Sequence, residues 1–266
     1  MSSRAYANPH GPFRADQLRS GDEYELSHGH AIYCAPTGGQ GSGSNQIGAS
    51  VVGWDPQVTE AGVDTGYSPS PGMLRAPDVA VGNVPSKPGW VKGAPSLAIE
   101  YADVGQDEAA LEEKIHDLLS FGTRYLWVVR LTGPRRVEVH EPGKKMQTFL
   151  PGSMLTAPGV LKNAVRVEAL YDRAEAERAT LVNLLQRRGY EDLEAVLAEG
   201  REEGREEGRR EGLVQAVLAI LEVRGIEVDS AGRSRIEAGT LPELARWLQR
   251  AKSRDVHSLD EIFATS

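Results

Sequence analysis

Between Leu74 and Val129 the chain carries two short stretches of period-two alternation, a helix-length stretch with period-3.6 spacing, and then another strand-length apolar run. In Leu74-Arg75-Ala76-Pro77-Asp78-Val79-Ala80-Val81, alternation puts Ala76, Asp78 and Ala80 on one face and Pro77, Val79 and Val81 on the other. In Leu97-Ala98-Ile99-Glu100-Tyr101-Ala102, it puts Ala98, Glu100 and Ala102 opposite Leu97, Ile99 and Tyr101. Each carboxylate therefore sits among small side chains while the bulky ones turn toward a core. Small neighbours leave room for ions and substrate, and two acids placed this way point to a shared site.

The segment from Asp107 to Phe121 reads as a helix, with Asp107 as N-cap, Glu108 in the first turn and Gly122 as the stop. At 100° per residue Ala110, Leu111, Ile115, Leu118, Leu119 and Phe121 form one apolar arc, and Lys114 falls inside it. Glu112, Glu113, His116, Asp117 and Ser120 fall on the opposite side. An unpaired ammonium is costly to bury, so a lysine on an inward face calls for an anionic partner. Asp78 and Glu100 are the natural candidates, and a lysine that snorkels past Phe121 to water is the plainer alternative.

These residues resemble the PD-(D/E)XK nuclease superfamily, and most closely its Uma-type restriction-endonuclease-like family. The resemblance runs from about Tyr24 to Tyr171. It is carried by Tyr24-Glu25-Leu26 with Gly29, Pro77-Asp78, Gly93-Ala94-Pro95, Glu100, Glu113-Lys114, Tyr125-Leu126-Trp127-Val128-Val129, and Pro151-Gly152 before Leu155. It implies an α/β or α+β fold, with a restriction-endonuclease-like central mixed sheet flanked by helices, and a divalent metal held by Asp78 and Glu100. Where the superfamily's lysine usually follows the second acid by two residues this chain has Ala102, and Lys114 matches the branch in which the lysine has moved to the next helix. Glu25 matches a recurrent family acid. The family's long early helix is expected to be shortened here, to about Asn45 to Trp54.

The implied chemistry is hydrolysis of DNA phosphodiester bonds by a magnesium-dependent endonuclease, with manganese as a substitute. Asp78 and Glu100 supply hard oxygen ligands, and the Tyr101 carbonyl is a possible third. Lys114 orients the attacking water or neutralises developing charge, a role that suits it better than general base. The competing reading is a noncatalytic interaction protein that keeps the nuclease fold and assembles through its tail.

Composition bounds both readings. A chain of 266 residues with 40% hydrophobic content can bury one good core and a smaller second one. One cysteine, Cys34, excludes an internal disulfide framework and fits a reducing cytoplasm. No run reaches the ~18 apolar residues of a membrane span, and no secretory signal pattern opens the chain. A formal charge of −8 opposes strong nonspecific affinity for nucleic acid. Locally, however, Arg130, Arg135, Arg136, Lys144, Lys145, Lys162 and Arg166 concentrate positive charge, either as a solvated hairpin or as a phosphate-contacting edge.

Ala35 to Ala76 holds nine glycines and four prolines, so it reads as loop with one short helix. Its Gly38-to-Gly43 run lacks the lysine of a phosphate-binding loop and reads as flexible backbone. Strands follow near Tyr125 to Leu131, Arg135 to Glu141 and Met146 to Leu150. The expected organisation is a nuclease-like domain over 1–171, a charged helical linker over 172–212, and a small helical C-terminal unit over 213–266. Within the linker Gly200, Gly204, Gly208 and Gly212 recur every four residues among glutamates and arginines that can pair, such as Glu202 with Arg205 and Glu206 with Arg210. Four glycines weaken an isolated helix, so the linker is read either as a solvated spacer or as a coiled-coil-like seam making a homo-oligomer. Thr240 and the Ser258/Glu261 pair cap later helices. His28 and His30 read as surface histidines, and Cys34 has no evident catalytic partner.

Overall fold

The computed structural model describes residues 11–264. The opening of the expected 1–171 domain and the last two residues of the expected 213–266 unit thus lie outside the described residues. The chain divides into two compact units, one ending at Glu191 and the other beginning at Asp192.

The first unit opens with a hairpin of β1 (Tyr24–Ser27) and β2 (His30–Tyr33), followed by α1 (Gly39–Gly53). Six strands then form one mixed sheet in chain order: β3 (Ala61–Val63), β4 (Val79–Val81), β5 (Leu97–Ala102), β6 (Tyr125–Arg130), β7 (Arg136–His140) and β8 (Gln147–Phe149). Only β5 and β6 run parallel within it. A parallel pair needs a crossing connection, which is α2 (Glu108–Ser120). A ribbon of β9 (Met154–Leu155) and β10 (Val165–Arg166) precedes α3 (Arg173–Arg187). This is the expected α/β architecture, a mixed sheet flanked by helices.

The sheet's two faces differ. Val79, Val81, Ile99, Tyr101, Trp127 and Val129 enter the main core with Val51 and Val52 of α1 and Ala176 of α3. Ala98, Ala102, Leu126 and Val128 meet Leu111, Ile115 and Leu118 of α2 on the other face. Glu100 belongs to this second, smaller-residue face, as the alternation of β5 requires.

Two expectations about the first unit need correction. α1 is longer than Asn45 to Trp54 and begins inside the glycine-rich run that reads as flexible. Gly48 serves packing, since a Cβ there would overlap the Tyr101 hydroxyl, and one at Gly41 would lie 2.8 Å from Thr37 Cγ2, whereas Gly39 and Gly43 face open space. Burying the helix against the sheet offsets the weak helix propensity of glycine. The unit also continues past residue 171, because α3 is tied to α1. Asn183 Nδ2 donates to the Val51 carbonyl at 2.9 Å, and Asn163 donates to both Asn183 and Gln186.

The second unit is helical. A single helix, α4 (Leu193–Val223), runs through both the glycine repeat and the apolar segment behind it, so no boundary falls at 212. α5 (Ser230–Glu237), α6 (Leu241–Lys252) and α7 (Leu259–Phe263) complete the unit. Val214, Val217 and Leu221 of α4 pack with Ile236, Leu244, Trp247 and Ile262. Thr240 forms a capping box with Glu243, Ser258 accepts from the Glu261 N–H, and Gly225 ends α4 at a φ of 68°. Glu202 pairs with Arg205. Arg210 instead donates to the Glu237 carbonyl at the end of α5, 2.7 Å away. Among the described residues no helix is long and apolar enough to cross a membrane.

Candidate active site

Asp78 precedes β4 in a bend, so the strand expected from Ala76 onward begins only at Val79. The interruption has a use. Ladder pairing between β4 and β5 stops at Val79 and Ile99, and the next β5 donor facing that way, the Tyr101 N–H, is taken by Asp78 Oδ2 at 2.7 Å. The N–H and C=O of a paired strand residue point to the same side. The Ala102 carbonyl accepts from Leu131 N–H on the β6 side, so the Tyr101 carbonyl turns toward β4 and Asp78. The Tyr101 ring is held on the opposite face of the sheet, its hydroxyl donating to the Leu170 carbonyl at 2.9 Å.

Lys114 points inward from α2, as its place on the arc predicts. Its Nζ lies 3.1 Å from Glu100 Oε1 and 3.1 Å from Glu25 Oε1, and it donates to the Ala76 carbonyl at 2.7 Å. Asp78 acts on the same ammonium and on Glu100 through space. Three carboxylates thus share one cation. Burial pushes Glu100 up to about 8, with Lys114 opposing the shift and the neighbouring acids adding to it. Burial also raises Asp78, again against the pull of Lys114. For Lys114 burial acts to lower the pKa, but Glu100, Glu25 and Asp78 reverse that and raise it. The lysine stays charged and Glu100 takes the proton that the excess of acids calls for.

Among the described residues no three His, Cys, Asp or Glu side chains are gathered to hold a metal ion by themselves. The donors present still suit magnesium, which keeps several waters and is commonly bound through one or two carboxylates. Apart from its 3.1 Å contact with Lys114 Nζ, the buried Glu100 Oε1 has no aligned hydrogen-bond donor.

Sequence reasoning missed part of this cluster. Asp117, assigned to the solvent side of α2, is buried at 1% exposure and accepts from Arg75 Nε at 2.7 Å. Arg75 is equally buried and also reaches Glu25 Oε2 at 3.3 Å. The available signal was an arginine set between Leu74 and Ala76 in a strand-like apolar run, where burial demands acids. Glu25 was singled out only through the family resemblance, and its contact with Lys114 joins the hairpin to the site.

Three of the seven basic residues after the site are paired with acids within the unit. Arg130 pairs with Glu108 at 2.7 Å and Glu138 at 2.9 Å, Arg136 with Glu138 at 3.0 Å and Lys144 with Glu141 at 2.7 Å. Arg135 stacks on Tyr171, 4.7 Å from the ring centre. His28 and His30 are exposed, as expected.

No protein-family model and no curated protein sequence matches the chain. A crystal structure from Anabaena variabilis ATCC 29413, of a candidate nuclease belonging to DUF820, is similar in fold. The TM-score is 0.53 at 18% identity, covering 62% of this chain and 99% of the other. The likeness is one of architecture.

Proposed function

We propose that the chain is a PD-(D/E)XK endonuclease of the Uma type that hydrolyses DNA phosphodiester bonds with magnesium or manganese. The observation that carries this reading is the meeting of Asp78, Glu100 and Lys114, from a bend, a strand and a helix, at one buried point on the small-residue face of the sheet. Asp78, Glu100 and the Tyr101 carbonyl are the residues that would hold the metal. When bound, the ion supplies Lewis-acid stabilisation of phosphoryl charge and an acidified water. Lys114 remains an ammonium and so cannot serve as general base. It offers positive charge to the phosphoryl oxygens and a donor that orients the attacking water. Glu25 also holds the ammonium, at 3.1 Å, and the Asp78 carboxylate is fixed by the Tyr101 N–H.

The test is cleavage of duplex DNA, single-stranded DNA and RNA in magnesium, manganese or chelator, comparing the native chain with Asp78→Ala. Metal-dependent cutting of DNA, lost in the variant, is the expected result. Absence of cutting on every substrate, together with no calorimetric manganese binding, rejects the reading. One observation favours a noncatalytic assembly role instead: Arg130, Arg136 and Lys144 are engaged with acids rather than held for phosphates. That role would use α4 for self-association, where Leu193 and Leu197 are half exposed and nothing lies within 4 Å of a Cβ placed at Gly200, Gly204, Gly208 or Gly212. Sedimentation of the intact chain against a chain ending at Ala198 distinguishes an oligomer from a monomer.

A further inference from the structure

Arg75 is the only arginine among the described residues in the buried class. Its guanidinium bridges two elements. Nε and Nη2 each lie 2.7 Å from Asp117 Oδ2 on α2, Nη2 lies 3.7 Å from Glu113, and Nη1 lies 3.3 Å from Glu25 Oε2 on β1. The other oxygen of Glu25 is the one that contacts Lys114, and it also accepts from the Ala76 N–H at 3.3 Å. Asp117 stands one turn after Lys114 on the same helix. Both acids gripped by Arg75 therefore set the surroundings of the ammonium, one by contact and the other through the helix that carries it.

We propose that Arg75 is a positioning residue, whose planar fork clamps Glu25 and Asp117 so that Lys114 is held between Glu25 and Glu100. Two features support this over a role in stability alone. A buried ion cluster is a poor source of stability, because apolar side chains of similar volume serve as well or better. A point charge could meet the electrostatic need, but a guanidinium can grip acids on two elements at once in fixed directions. The inference deepens the nuclease reading by adding a residue behind Lys114, yet the placement of Lys114 can be measured whether or not the chain cuts DNA.

The experiment measures acetic anhydride labelling of Lys114 by mass spectrometry in the full chain, with exposed Lys145 as internal reference. Arg75→Lys keeps the charge and loses the fork. Arg75→Met combined with Asp117→Leu removes the buried pair in a form that packs. In both, folded by circular dichroism, labelling of Lys114 relative to Lys145 is expected to rise at least tenfold, and any metal-dependent cleavage to lose kcat at least tenfold with KM within twofold. Native labelling of Lys114 in the folded double variant would overturn the proposal, leaving Arg75 a structural residue. If the native chain neither cuts nor binds manganese while the labelling rises as expected, the nuclease reading fails and the positioning role stands.

Discussion

On β5, Leu97, Ile99 and Tyr101 turn to a core of large apolar side chains under α1 and α3, while Ala98, Glu100 and Ala102 turn to α2. Both faces are buried along the whole strand. The first face is filled by bulk, and its one polar side-chain group on β5, the Tyr101 hydroxyl, donates to the Leu170 carbonyl. The second leaves space, and the space is filled with charge: Glu100, Lys114, Glu25, Asp117 and Arg75. Burial is thus compatible with chemistry where small residues line the sheet and every charge finds a counter-charge or a proton. The cost of that arrangement falls on neighbouring elements, which must supply the partners.

The largest effects should come from emptying the charged face. Asp78→Ala or Glu100→Ala is expected to remove calorimetric manganese binding and cleavage together while leaving the circular dichroism spectrum native. Lys114→Met keeps the apolar arc of α2 and should lower the cleavage rate by about two to three orders of magnitude, the usual result of removing one stabilising donor. Cleavage by Lys114→Met at the native rate would reduce the lysine to a structural cation, and the contrast between the faces would then concern packing alone.

The bulky face is broken by overfilling. Gly48→Ala pushes a methyl against the Tyr101 hydroxyl, and overpacking of this kind costs about 1–3 kcal/mol. Thermal unfolding should show a fall of several degrees for the first unit. Tyr101 also holds Asp78 through its backbone, so cleavage should fall with it. A variant as stable as the native chain would mean that α1 can slide on the sheet, and that its glycines are not there for close approach.

The two faces were unequally legible in the sequence. Alternation fixed the sides of Leu97 to Ala102, the helical arc turned Lys114 inward, and Asp107 marked the start of α2. These are local signals, each read within one element. The first turn of α1 was read as loop because Gly39, Gly41 and Gly43 have the same local signature in a loop as in a helix, whereas what holds the helix on the sheet, such as the close approach of Gly48 to Tyr101, lies far along the chain. Asp117 was misplaced for a related reason. A charged residue beside the apolar arc looks solvated until its partner is known, and the partner, Arg75, lies 42 residues away. The repeat from Gly200 to Gly212 shows the converse, since its Glu and Arg spacing announced a helix that the glycines argued against, and α4 is continuous there.

Acidity provides a finer probe of the charged face. Glu100 has a pKa of about 8 in the folded chain against an ordinary 4.5. Between those values the folded state holds a proton that the unfolded state has released, so the stability this group provides is present below about 4.5 and lost as pH rises to 8. Metal-free thermal unfolding should therefore shift to lower temperature from pH 5 to 9. Glu100→Gln should flatten the dependence, and manganese at pH 8.5 should restore stability to the native chain. A native profile that rises across this range would show that Glu100 is ionised throughout.

The smallest effect compares the glycines of α1 with those of α4. At Gly204 a Cβ meets nothing within 4 Å, so for a solvated helix Gly204→Ala should stabilise the second unit by about 1 kcal/mol through helix propensity alone. If copies of the chain pack through this stripe, the methyl must enter the seam, and the variant should sediment as a smaller species than the native chain at equal concentration. Combining unfolding with sedimentation separates the cases. Greater stability with unchanged sedimentation assigns α4 to solvent along the repeat, whereas dissociation of a native oligomer assigns its glycines the same work that Gly48 does against Tyr101, with a second chain in place of the sheet.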